Sequence, residues 1–467
     1  RARSPAATED RAQRVVPAPD PPGRPNLIVV MTDDQDIASM RVMKQTRRLL
    51  GERGVSFSNF YSSFPQCSPS RATLLSGQYA HTHGVIGNHQ PSGGLTEFEP
   101  LEAQALPVAL QASGYETALI GKYFNGYNGY GQNHPAKMPP GWDHWFAAVE
   151  ERMFNWQANA NGEIRSYPNR ESDYQTDVYA RQARGFIRRS SKRSRPFFLS
   201  VFPRAPHVER GIEPRDDPRP APRHAGSEPP ARLFADPAFN ESNVSDKPSF
   251  VPRVKLTESE IARQRSRERD RLNSLRAVDD LVAGLVEELR LRGELANTYI
   301  AFTSDNGYML GAHRLRKKNS LYEQGSRVPM LLRGPGLRPG TVAQQVSANV
   351  DIAPTLLAAA GADPLLEADG IDLRRLARNP EVERGRAILL ETAASRAVRT
   401  RRWMYAEHDT DPSERGAEQL ELYDMRRDPD QLLNLLGSLD SRPPLAELER
   451  LTLRLRALSD CAGETCR

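Results

Sequence analysis

Positions 67 to 77 of the chain read Cys67-Ser68-Pro69-Ser70-Arg71-Ala72-Thr73-Leu74-Leu75-Ser76-Gly77. Ser68 is a good helix N-cap, and Pro69 suits the first helical position, where its missing N–H costs nothing. The stretch therefore predicts a helix whose N-terminus lies beside Cys67. Free backbone N–H groups and the helix dipole favour an anion there, and Arg71 follows about one turn later. A thiol, a positive helix end and a guanidinium meet at a place suited to a tetrahedral oxyanion.

Length and composition restrict the class of protein. A chain of 467 residues is long enough for one large domain or two unequal ones. Hydrophobic residues make up 38% and charged residues 26%, which is typical of a globular protein, and no apolar run approaches the length of a transmembrane helix. The net charge of +5, from 64 basic and 59 acidic residues, argues against a dedicated nucleic-acid binder and mildly favours an anionic substrate.

Four short apolar runs predict buried strands of a parallel sheet, and polar residues follow each run. In chain order, these runs lead to Asp33 and Asp34, to Lys122, to His207, and to Asp305 and Asn306. Ligands of open α/β sheets bind at the carboxyl ends of the strands, so we expect these side chains to converge. Three carboxylates and an amide suit a hard divalent cation, Ca²⁺ or Mg²⁺.

Each of these signals is weak when it is taken alone. A lone cysteine is more often a small buried hydrophobic residue than a nucleophile. A single Asp-Asp pair or Asp-Asn-Gly is most often a turn. Their joint occurrence at strand ends, with the Cys67 helix between them in sequence, favours a functional site over the structural interpretation.

The rest of the chain divides into three parts by composition. Residues 1–25 lack periodicity and predict a disordered leader or tether, whereas residues 26–375 predict the main α/β domain. Residues 128–170 are rich in Gly, Asn, Pro and Trp and predict long loops that wall a pocket. Residues 376–467 predict a C-terminal α+β subdomain, with a small antiparallel sheet and a helix from Leu445 to Leu458.

The three cysteines indicate one unpaired thiol. Cys461 and Cys466 lie close together and could form a disulfide in an oxidising compartment. Zinc binding is the alternative, although no second cysteine pair or histidine cluster supports it. Either reading leaves Cys67 unpaired, as expected of a reactive or modified cysteine.

The segment from Cys67 to Gly77 resembles the signature of the type I sulfatases, and the resemblance extends from Asn26 to about Leu435. Further matching segments are Thr32–Asp36, Gly121–Tyr123, Ala205–His207, Thr303–Gly307, Lys318–Glu323 and Glu421–Met425. The segment from Gly121 to Tyr127 looks most like N-acetylglucosamine-6-sulfatases and their bacterial relatives. The resemblance implies an α/β fold of the alkaline-phosphatase-like type, with a mostly parallel central sheet flanked by helices.

The resemblance also implies a site chemistry. A formylglycine-generating enzyme would oxidise Cys67 to formylglycine, whose hydrate is the nucleophile in this family. One divalent cation, Ca²⁺ or alternatively Mg²⁺, would be held by Asp33, Asp34, the modified Cys67, Asp305 and Asn306.

The remaining roles are implied in the same way. Arg71 would steady the hydrate, Lys122 and Lys318 would pair with sulfate oxygens, and His207 would protonate the leaving oxygen. The family's lysine lies four residues before a tyrosine, which selects Lys318 rather than its neighbour Lys317. The implied substrate contacts are Asn125 and His313, and Phe124 stands where several sulfatases have a histidine.

The implied reaction is hydrolysis of a sulfate monoester, either of a sugar such as N-acetylglucosamine 6-sulfate or of a phenol. One rival is a phosphonate or phosphate ester hydrolase of the same superfamily. The other is a non-catalytic protein that binds sulfated glycans without the modification. We expect neither a nucleic-acid partner nor a transmembrane segment. The expected location is secreted, periplasmic or at the cell surface, with the signal segment absent from this sequence.

Overall fold

The first strand, β1 (Asn26–Thr32), shows how the chain builds a layered fold. All seven of its residues are buried. Alternate side chains, from Leu27 to Met31, enter one apolar core, whereas Ile28 and Val30 enter a second core on the opposite face. A strand that is apolar on both faces belongs in the middle of a sheet covered by helices on both sides.

The computed structural model describes residues 23–127, 137–149, 152–209, 217–227, 233–380, 385–409, 419–437 and 445–467. The predicted leader, residues 1–25, lies outside the described residues except for its last three positions. The strands of the described part are β1, β2 (Val55–Phe57), β3 (Phe60–Tyr61), β4 (Glu116–Gly121), β5 (His144–Ala148), β6 (Trp156–Ala160), β7 (Glu163–Tyr167), β8 (Phe197–Phe202), β9 (Thr298–Ser304), β10 (Met309–Leu310), β11 (Arg316–Lys317), β12 (Met330–Arg333), β13 (Thr341–Ala343), β14 (Ser347–Ala348), β15 (Ala387–Thr392), β16 (Ser395–Thr400), β17 (Trp403–His408) and β18 (Gln419–Asp424).

The α-helices of the same part are α1 (Lys44–Thr46), α2 (Cys67–Ser76), α3 (Ala80–His83), α4 (Leu95–Phe98), α5 (Leu106–Ala112), α6 (Gln175–Ser190), α7 (Glu258–Arg292), α8 (Glu323–Ser326), α9 (Ile352–Ala360), α10 (Leu373–Arg378) and α11 (Leu445–Ser459). The longest of these helices is α7, with 35 residues. It starts with a capping box between Thr257 and Glu260, and it ends where Gly293 adopts a φ of 75°.

The large sheet has ten strands in the order β13-β2-β12-β9-β1-β8-β4-β5-β6-β7. Its five central strands, from β9 to β5, are parallel. Helices α6 and α7 contribute to the core on one face, whereas α2, α5 and α9 contribute to the core on the other. The predicted central sheet, mostly parallel and flanked by helices, is therefore confirmed in its middle strands.

The register of the central strands brings the predicted polar residues together. Thr32 at the end of β1 pairs with Ser304 at the end of β9, and Gly121 of β4 pairs with Phe202 of β8. Gly121 has a φ of 128°, and a Cβ on it would lie 2.2 Å from the Phe202 carbonyl oxygen. Only glycine fits so close to the neighbouring strand.

The prediction of loops over residues 128–170 is wrong in its second half. Strands β5, β6 and β7 lie there and extend the large sheet to its edge, with antiparallel pairing from β5 to β7. Gly and Asn at the turns concealed the short alternating segments between them. Residues 128–136 and 150–151 lie outside the described part.

The C-terminal residues form a second, antiparallel sheet of four strands in the order β15-β16-β17-β18. Leu451, Leu455 and Leu458 of helix α11 are buried with this sheet in a third core, which also contains Tyr61 and Tyr322 of the larger part. The small sheet and the C-terminal helix are as predicted. The predicted boundary at residue 375 falls inside α10 and remains a prediction.

Cys461 and Cys466 form a disulfide with a Cα–Cα distance of 5.1 Å. This confirms the disulfide interpretation of the C-terminal pair over the zinc interpretation. In the described part, Cys67 is the free cysteine, and it is buried.

Candidate active site

Cys67 lies in the first turn of helix α2 rather than before it. The N-cap is Gln66, which makes no side-chain capping bond, so the prediction of Ser68 as N-cap and Pro69 as first helical residue is wrong. The Ser68 N–H donates to Oδ1 of Asn88 at 2.9 Å. Because a distant side chain satisfies this N–H, the helix needs no capping side chain of its own.

Two aspartates from the end of β1 lie beside the Cys67 thiol. Sγ of Cys67 is 3.3 Å from Oδ1 of Asp33 and 3.9 Å from Oδ1 of Asp34. Ligand atoms of these three residues and of His207 all lie within 4.8 Å of one another, and all four residues are buried. Residues from β1, α2 and the end of β8 therefore form one compact group.

Two lysines reach the same group from different elements. Nζ of Lys122, which follows β4, donates to Oδ2 of Asp33 at 2.8 Å. Nζ of Lys318, which follows β11, is 2.6 Å from Oδ1 of Asp34 and 2.7 Å from Sγ of Cys67. The structure thus brings together the thiol and both lysines singled out in the sequence.

Arg71 is directed into the site by the residues that follow β9 and β4. Its Nε and one terminal nitrogen donate to Oδ2 of Asp305 at 3.1 and 2.8 Å, and its other terminal nitrogen donates to the Lys122 carbonyl at 2.9 Å. Oδ1 of Asp305 accepts the Asp34 N–H at 3.0 Å. Both partners of this ion pair are at most 1% exposed, which fixes the guanidinium one turn below Cys67.

His207 is oriented by a backbone carbonyl and a neighbouring guanidinium. Its Nδ1 lies 2.6 Å from the Val208 carbonyl oxygen and 2.8 Å from a terminal nitrogen of Arg204. Its Nε2 lies 3.6 Å from Oδ2 of Asp34. Burial and the Arg204 charge lower the pKa of His207 to about 4, so the ring is neutral near pH 7.

Two oxygen atoms of the group fit a cation. Among the described residues, Oδ2 of Asp34 and Oδ1 of Asn306 are buried oxygens without a hydrogen-bond partner. The amide of Asn306 is held with its Nδ2 donating to Oδ1 of Asp34 at 2.7 Å, which leaves Oδ1 as the free end. Buried oxygens without donors are costly, and hard divalent cations coordinate such oxygens. The donor set of this edge therefore fits Ca²⁺ or Mg²⁺.

The electrostatics of the group differ from residue to residue. Burial tends to raise the pKa of Asp33, but the Lys122 ammonium and other nearby cations hold it well below its ordinary value. Burial and the Asp33 charge raise the pKa of Asp305 to about 6. Burial and the same Asp33 charge raise the pKa of the Cys67 thiol to about 12. An unmodified Cys67 is therefore a neutral thiol at physiological pH and a poor nucleophile.

The two predicted substrate contacts lie in different surroundings. Asn125 lies beside the first turn of α2, where its Oδ1 accepts a hydrogen bond from the Ser68 hydroxyl at 3.2 Å. His313 is fully buried, with Nδ1 2.7 Å from Oε2 of Glu241 and its ring stacked on Tyr322 at 4.2 Å. Asn125 borders the Cys67 group, whereas His313 presents no surface to a substrate in this structure.

Sequence reasoning missed two residues that position the site. Arg204 holds the ring of His207, and its position three residues earlier in the same strand-end turn was the available signal. Asn88 satisfies the N-terminus of α2 from a loop twenty residues away, and no local pattern marks it.

The fold and this buried group define a hydrolase of the alkaline-phosphatase-like class. The sulfatase family profile matches residues 25–362, and the profile of the N-sulphoglucosamine sulphohydrolase C-terminal region matches residues 311–457. Human N-acetylglucosamine-6-sulfatase is 31% identical over 490 aligned positions, which cover 95% of this chain and 86% of the human protein. The chain belongs to the sulfatase family and is a sulfuric ester hydrolase.

Solved structures show the same fold. A protein bound to its substrate D-glucosamine-2-N,6-O-disulfate superposes with a TM-score of 0.72 at 23% identity, covering 93% of this chain and 97% of that one. The phosphonate monoester hydrolase of Agrobacterium radiobacter superposes with a TM-score of 0.67 at 20% identity, covering 93% of this chain and 96% of that one. At these sequence identities, the similarity of the two structures to this chain shows a shared fold.

None of the described helices is both long enough and apolar enough to cross a membrane.

Proposed function

We propose that this sulfatase hydrolyses the sulfate ester of a sugar through a formylglycine at position 67 and one divalent cation. The observation that carries the proposal is the position of Cys67. Its Sγ lies in the first turn of a helix, 3.3 Å from a carboxylate of Asp33 and 2.7 Å from the ammonium of Lys318. Buried ionisable groups whose pKa is shifted by burial and by specific charged neighbours cluster at functional sites.

The charge balance of the group supports an anionic substrate. The carboxylates of Asp33, Asp34 and Asp305 face three permanent cations, so the group is neutral before a metal binds. The three cations are Arg71, Lys122 and Lys318. A bound divalent cation would leave an excess of two positive charges, which attracts an anionic group such as a sulfate monoester, whose charge is −1.

The proposed cation would be held by Asp33, Asp34, Asp305 and Asn306, together with residue 67. All the free donors are oxygens, which suits a hard cation, and we propose Ca²⁺ with Mg²⁺ as the alternative. When bound, the cation would withdraw charge from sulfate oxygens, and the hydrated aldehyde at position 67 would supply the oxygen nucleophile.

The chain's own residues would bind the sulfate and orient it. Lys122 and Lys318 are anchored at 2.8 and 2.6 Å from the two aspartates, so their ammonium groups border the space above residue 67. From there they could pair with sulfate oxygens as charge shifts during the reaction. Arg71 is fixed by Asp305 and would hold residue 67 from below.

We propose His207 as the proton donor to the leaving alcohol. Its Nδ1 is 2.6 Å from a backbone carbonyl, which leaves Nε2 facing the group. Its pKa of about 4 is that of the protein without substrate. A sulfate ester beside Nε2 would raise this pKa, because an adjacent anion favours the imidazolium form.

For the alcohol we propose a sulfated saccharide such as N-acetylglucosamine 6-sulfate, with an aryl sulfate as the alternative. The identity to human N-acetylglucosamine-6-sulfatase supports the saccharide. The disulfide between Cys461 and Cys466 supports a secreted, periplasmic or cell-surface location, because such bonds persist in oxidising compartments.

The test starts from protein made together with a formylglycine-generating enzyme. Mass spectrometry of the tryptic peptide from Gly54 to Arg71 should show an aldehyde in place of the thiol. Rates on N-acetylglucosamine 6-sulfate, an aryl sulfate and a phosphonate monoester are then compared. We expect the sulfate esters, led by the sugar, to be the better substrates.

Different results would remove different parts of the proposal. An unmodified thiol in active protein would exclude the formylglycine. Faster hydrolysis of the phosphonate would favour the rival reaction, which the fold of the Agrobacterium radiobacter enzyme also accommodates. An unmodified thiol together with no hydrolysis of any of the three esters would favour the non-catalytic rival.

A further inference from the structure

A histidine on the short helix after α2 contacts the C-terminal end of the chain. Nε2 of His81, in α3, lies 2.9 Å from the carbonyl oxygen of Cys461, at the start of the disulfide loop. Nδ1 of the same ring lies 3.0 Å from Oε1 of Glu391, near the end of β15. One imidazole therefore connects α3 with the small sheet and with residues 461–467, which we call the C-terminal loop.

Both oxygens that face His81 are hydrogen-bond acceptors. A backbone carbonyl and an ionised carboxylate have no hydrogen to donate, so each ring nitrogen has to carry one. A neutral imidazole carries a hydrogen on one nitrogen, whereas an imidazolium carries one on each. The two hydrogen bonds are therefore complete only when the ring is protonated.

The carboxylate of Glu391 favours the protonated ring. Its Oε2 accepts the Ala80 N–H at 3.2 Å, which directs Oε1 towards His81. Burial tends to lower the pKa of His81, but the hydrogen bond and the charge of Glu391 outweigh burial and raise this pKa above its ordinary value of 6.5. The contact geometry and the local charge thus favour the same form of the ring.

The other titratable groups around His81 do not oppose this form. Asp369, before α10, is a second carboxylate that favours the imidazolium. His83 of the same helix is neutral near pH 7, because burial lowers its pKa to about 3. In the C-terminal loop, Glu464 and Arg467 pair with each other at 3.7 Å. The charge of His81 is therefore balanced mainly by Glu391.

Asp369 adds a second connection between the C-terminal loop and α3. Its Oδ1 accepts the Gly463 N–H at 2.6 Å, and its Oδ2 accepts the Tyr79 N–H at 2.7 Å and the Thr82 hydroxyl at 3.0 Å. The loop is thus held to α3 through one carboxylate and one imidazole. Of these two partners, His81 is the type of residue that titrates near neutral pH.

Solvent reaches the imidazole more easily than the disulfide. The side chain of His81 is 22% exposed, whereas Cys461 and Cys466 are each 4% exposed. A proton can therefore leave the ring while the loop is closed. A reductant reaches the disulfide only when the loop opens locally.

We propose that His81 is a pH-sensitive clasp that closes the C-terminal loop, with its disulfide, against α3. As an imidazolium, the ring donates to Glu391 and to the Cys461 carbonyl at the same time. Loss of the proton removes one of these donors and the charge that faces Glu391, so the loop opens more often. This proposal is independent of the reaction at Cys67.

The direction of the pH effect follows from the raised pKa of His81. The folded chain holds the proton more tightly than the unfolded chain does. The stabilisation of the closed loop is therefore complete below about pH 6.5, and it is lost as pH rises through the raised pKa. The clasp favours the closed loop in acidic surroundings.

The experiment compares the wild type with His81→Gln, which removes the titrating ring, and with Glu391→Gln, which removes only the charge. The matched control is His224→Gln. Nε2 of His224 lies 2.7 Å from Oδ2 of Asp280, but in the described part of the chain its Nδ1 has no acceptor within hydrogen-bond distance. A neutral ring therefore satisfies His224 and does not satisfy His81.

The first measurement is an NMR titration of protein labelled with ¹³C at histidine Cε1. The chain has nine histidines, and His81→Gln identifies the signal of His81 by its absence. We expect His81 of the wild type to titrate above pH 6.5 and to titrate at lower pH in Glu391→Gln. Titration of the wild-type ring at or below pH 6.5 would overturn the proposal.

The second measurement is the rate at which a water-soluble phosphine reduces the disulfide, followed by mass spectrometry. The proteins are compared at the same pH, so the reactivity of the phosphine itself cancels. At about pH 5.5 we expect His81→Gln to be reduced about tenfold faster than the wild type and the control, and at about pH 8.5 we expect the rates to converge. Equal rates for His81→Gln and the wild type at the lower pH would overturn the proposal. An equal increase in the control would also overturn it, because the effect would then not be specific to His81.

Discussion

Two groups of buried charged residues, one around Glu421 and one around Cys67, differ in their hydrogen bonding. In the C-terminal sheet, both carboxylate oxygens of Glu421 are satisfied. They accept the Tyr322 hydroxyl at 2.7 Å, His408 Nε2 at 2.7 Å and the Tyr423 hydroxyl. In the Cys67 group, oxygens of Asp34 and Asn306 lack a donor although both residues are buried.

The difference separates a structural group from a functional one. A buried carboxylate with a full set of donors stabilises the fold and needs nothing further. A buried group that leaves oxygens without donors is stable only with something bound, or at a cost to the fold. Changes at Cys67 and its neighbours should therefore affect activity first, whereas changes around Glu421 should affect stability first.

The largest expected effect is that of Cys67→Ala. Removal of the proposed nucleophile precursor should lower kcat on a sulfate ester by at least about ten-thousand-fold. The free energy of unfolding should change by about 1 kcal/mol, because only one sulfur atom is lost from a packed site. Rates are measured with N-acetylglucosamine 6-sulfate, and unfolding is followed in urea. Activity retained above one per cent of wild type would contradict the functional role of the Cys67 group.

The second prediction concerns removal of the divalent cation. Chelation should abolish activity and lower the free energy of unfolding by about 3 kcal/mol relative to cation at a hundred times its dissociation constant. Addition of Ca²⁺ or Mg²⁺ should restore both quantities, and whichever ion does so at lower concentration is the better ligand. A stability independent of chelation would show that the two donor-free oxygens have another explanation.

The effect of the cation should also depend on pH. In the cation-free protein the pKa of Asp305 is raised to about 6, above its ordinary value of 3.8. The unfolded chain releases this proton first, so the cation-free fold loses stability as pH rises from about 4 to about 6. Below about pH 6 a cation must displace the proton of Asp305 in order to bind. The stabilisation of the fold by the cation should therefore shrink by about 1.4 kcal/mol for each pH unit below 6. Thermal unfolding with and without cation at several pH values measures this.

The third prediction addresses the satisfied group. Glu421→Gln should lower the free energy of unfolding by about 2 kcal/mol, because charge-assisted hydrogen bonds are replaced by neutral ones. The pKa of Glu421 lies below its ordinary value because hydrogen bonds from His408 and the tyrosines outweigh burial. The stability that the ionised group contributes is therefore lost as pH falls below about 4.5. Activity per folded molecule should stay within about twofold of wild type. A larger loss would show that the Glu421 group also affects the reaction at the Cys67 group.

The smallest expected effect is that of Tyr423→Phe, which removes one of the donors to Glu421. We expect a loss of about 1 kcal/mol in the free energy of unfolding and no change in kcat. Tyr322→Phe is the matched variant, because its hydroxyl donates to the same carboxylate oxygen. If the double variant loses much more than the sum of both, the hydrogen bonds act cooperatively.

The sequence was informative where a short apolar run ends in a polar residue. Asp33, Lys122 and Asp305 follow buried strands, and parallel pairing carries their side chains to one edge of the sheet. The sequence was uninformative where a residue far away in the chain determines the local structure. Asn88 replaces a local helix cap, and the short strands β5, β6 and β7 are defined by their antiparallel pairing with one another at the edge of the large sheet. Their patterns are too short to be recognised without the neighbouring strand.

The burial of Cys67 sets an order of events in the life of the protein. Its side chain is fully enclosed in the native fold, in the first turn of a buried helix. The active site of another enzyme cannot reach a thiol that has no exposed surface. The proposed maturation therefore has to happen while residues 67–77 are still unfolded, either during synthesis or before release. A chain that folds before this oxidation encloses its thiol and stays inactive for as long as it remains folded.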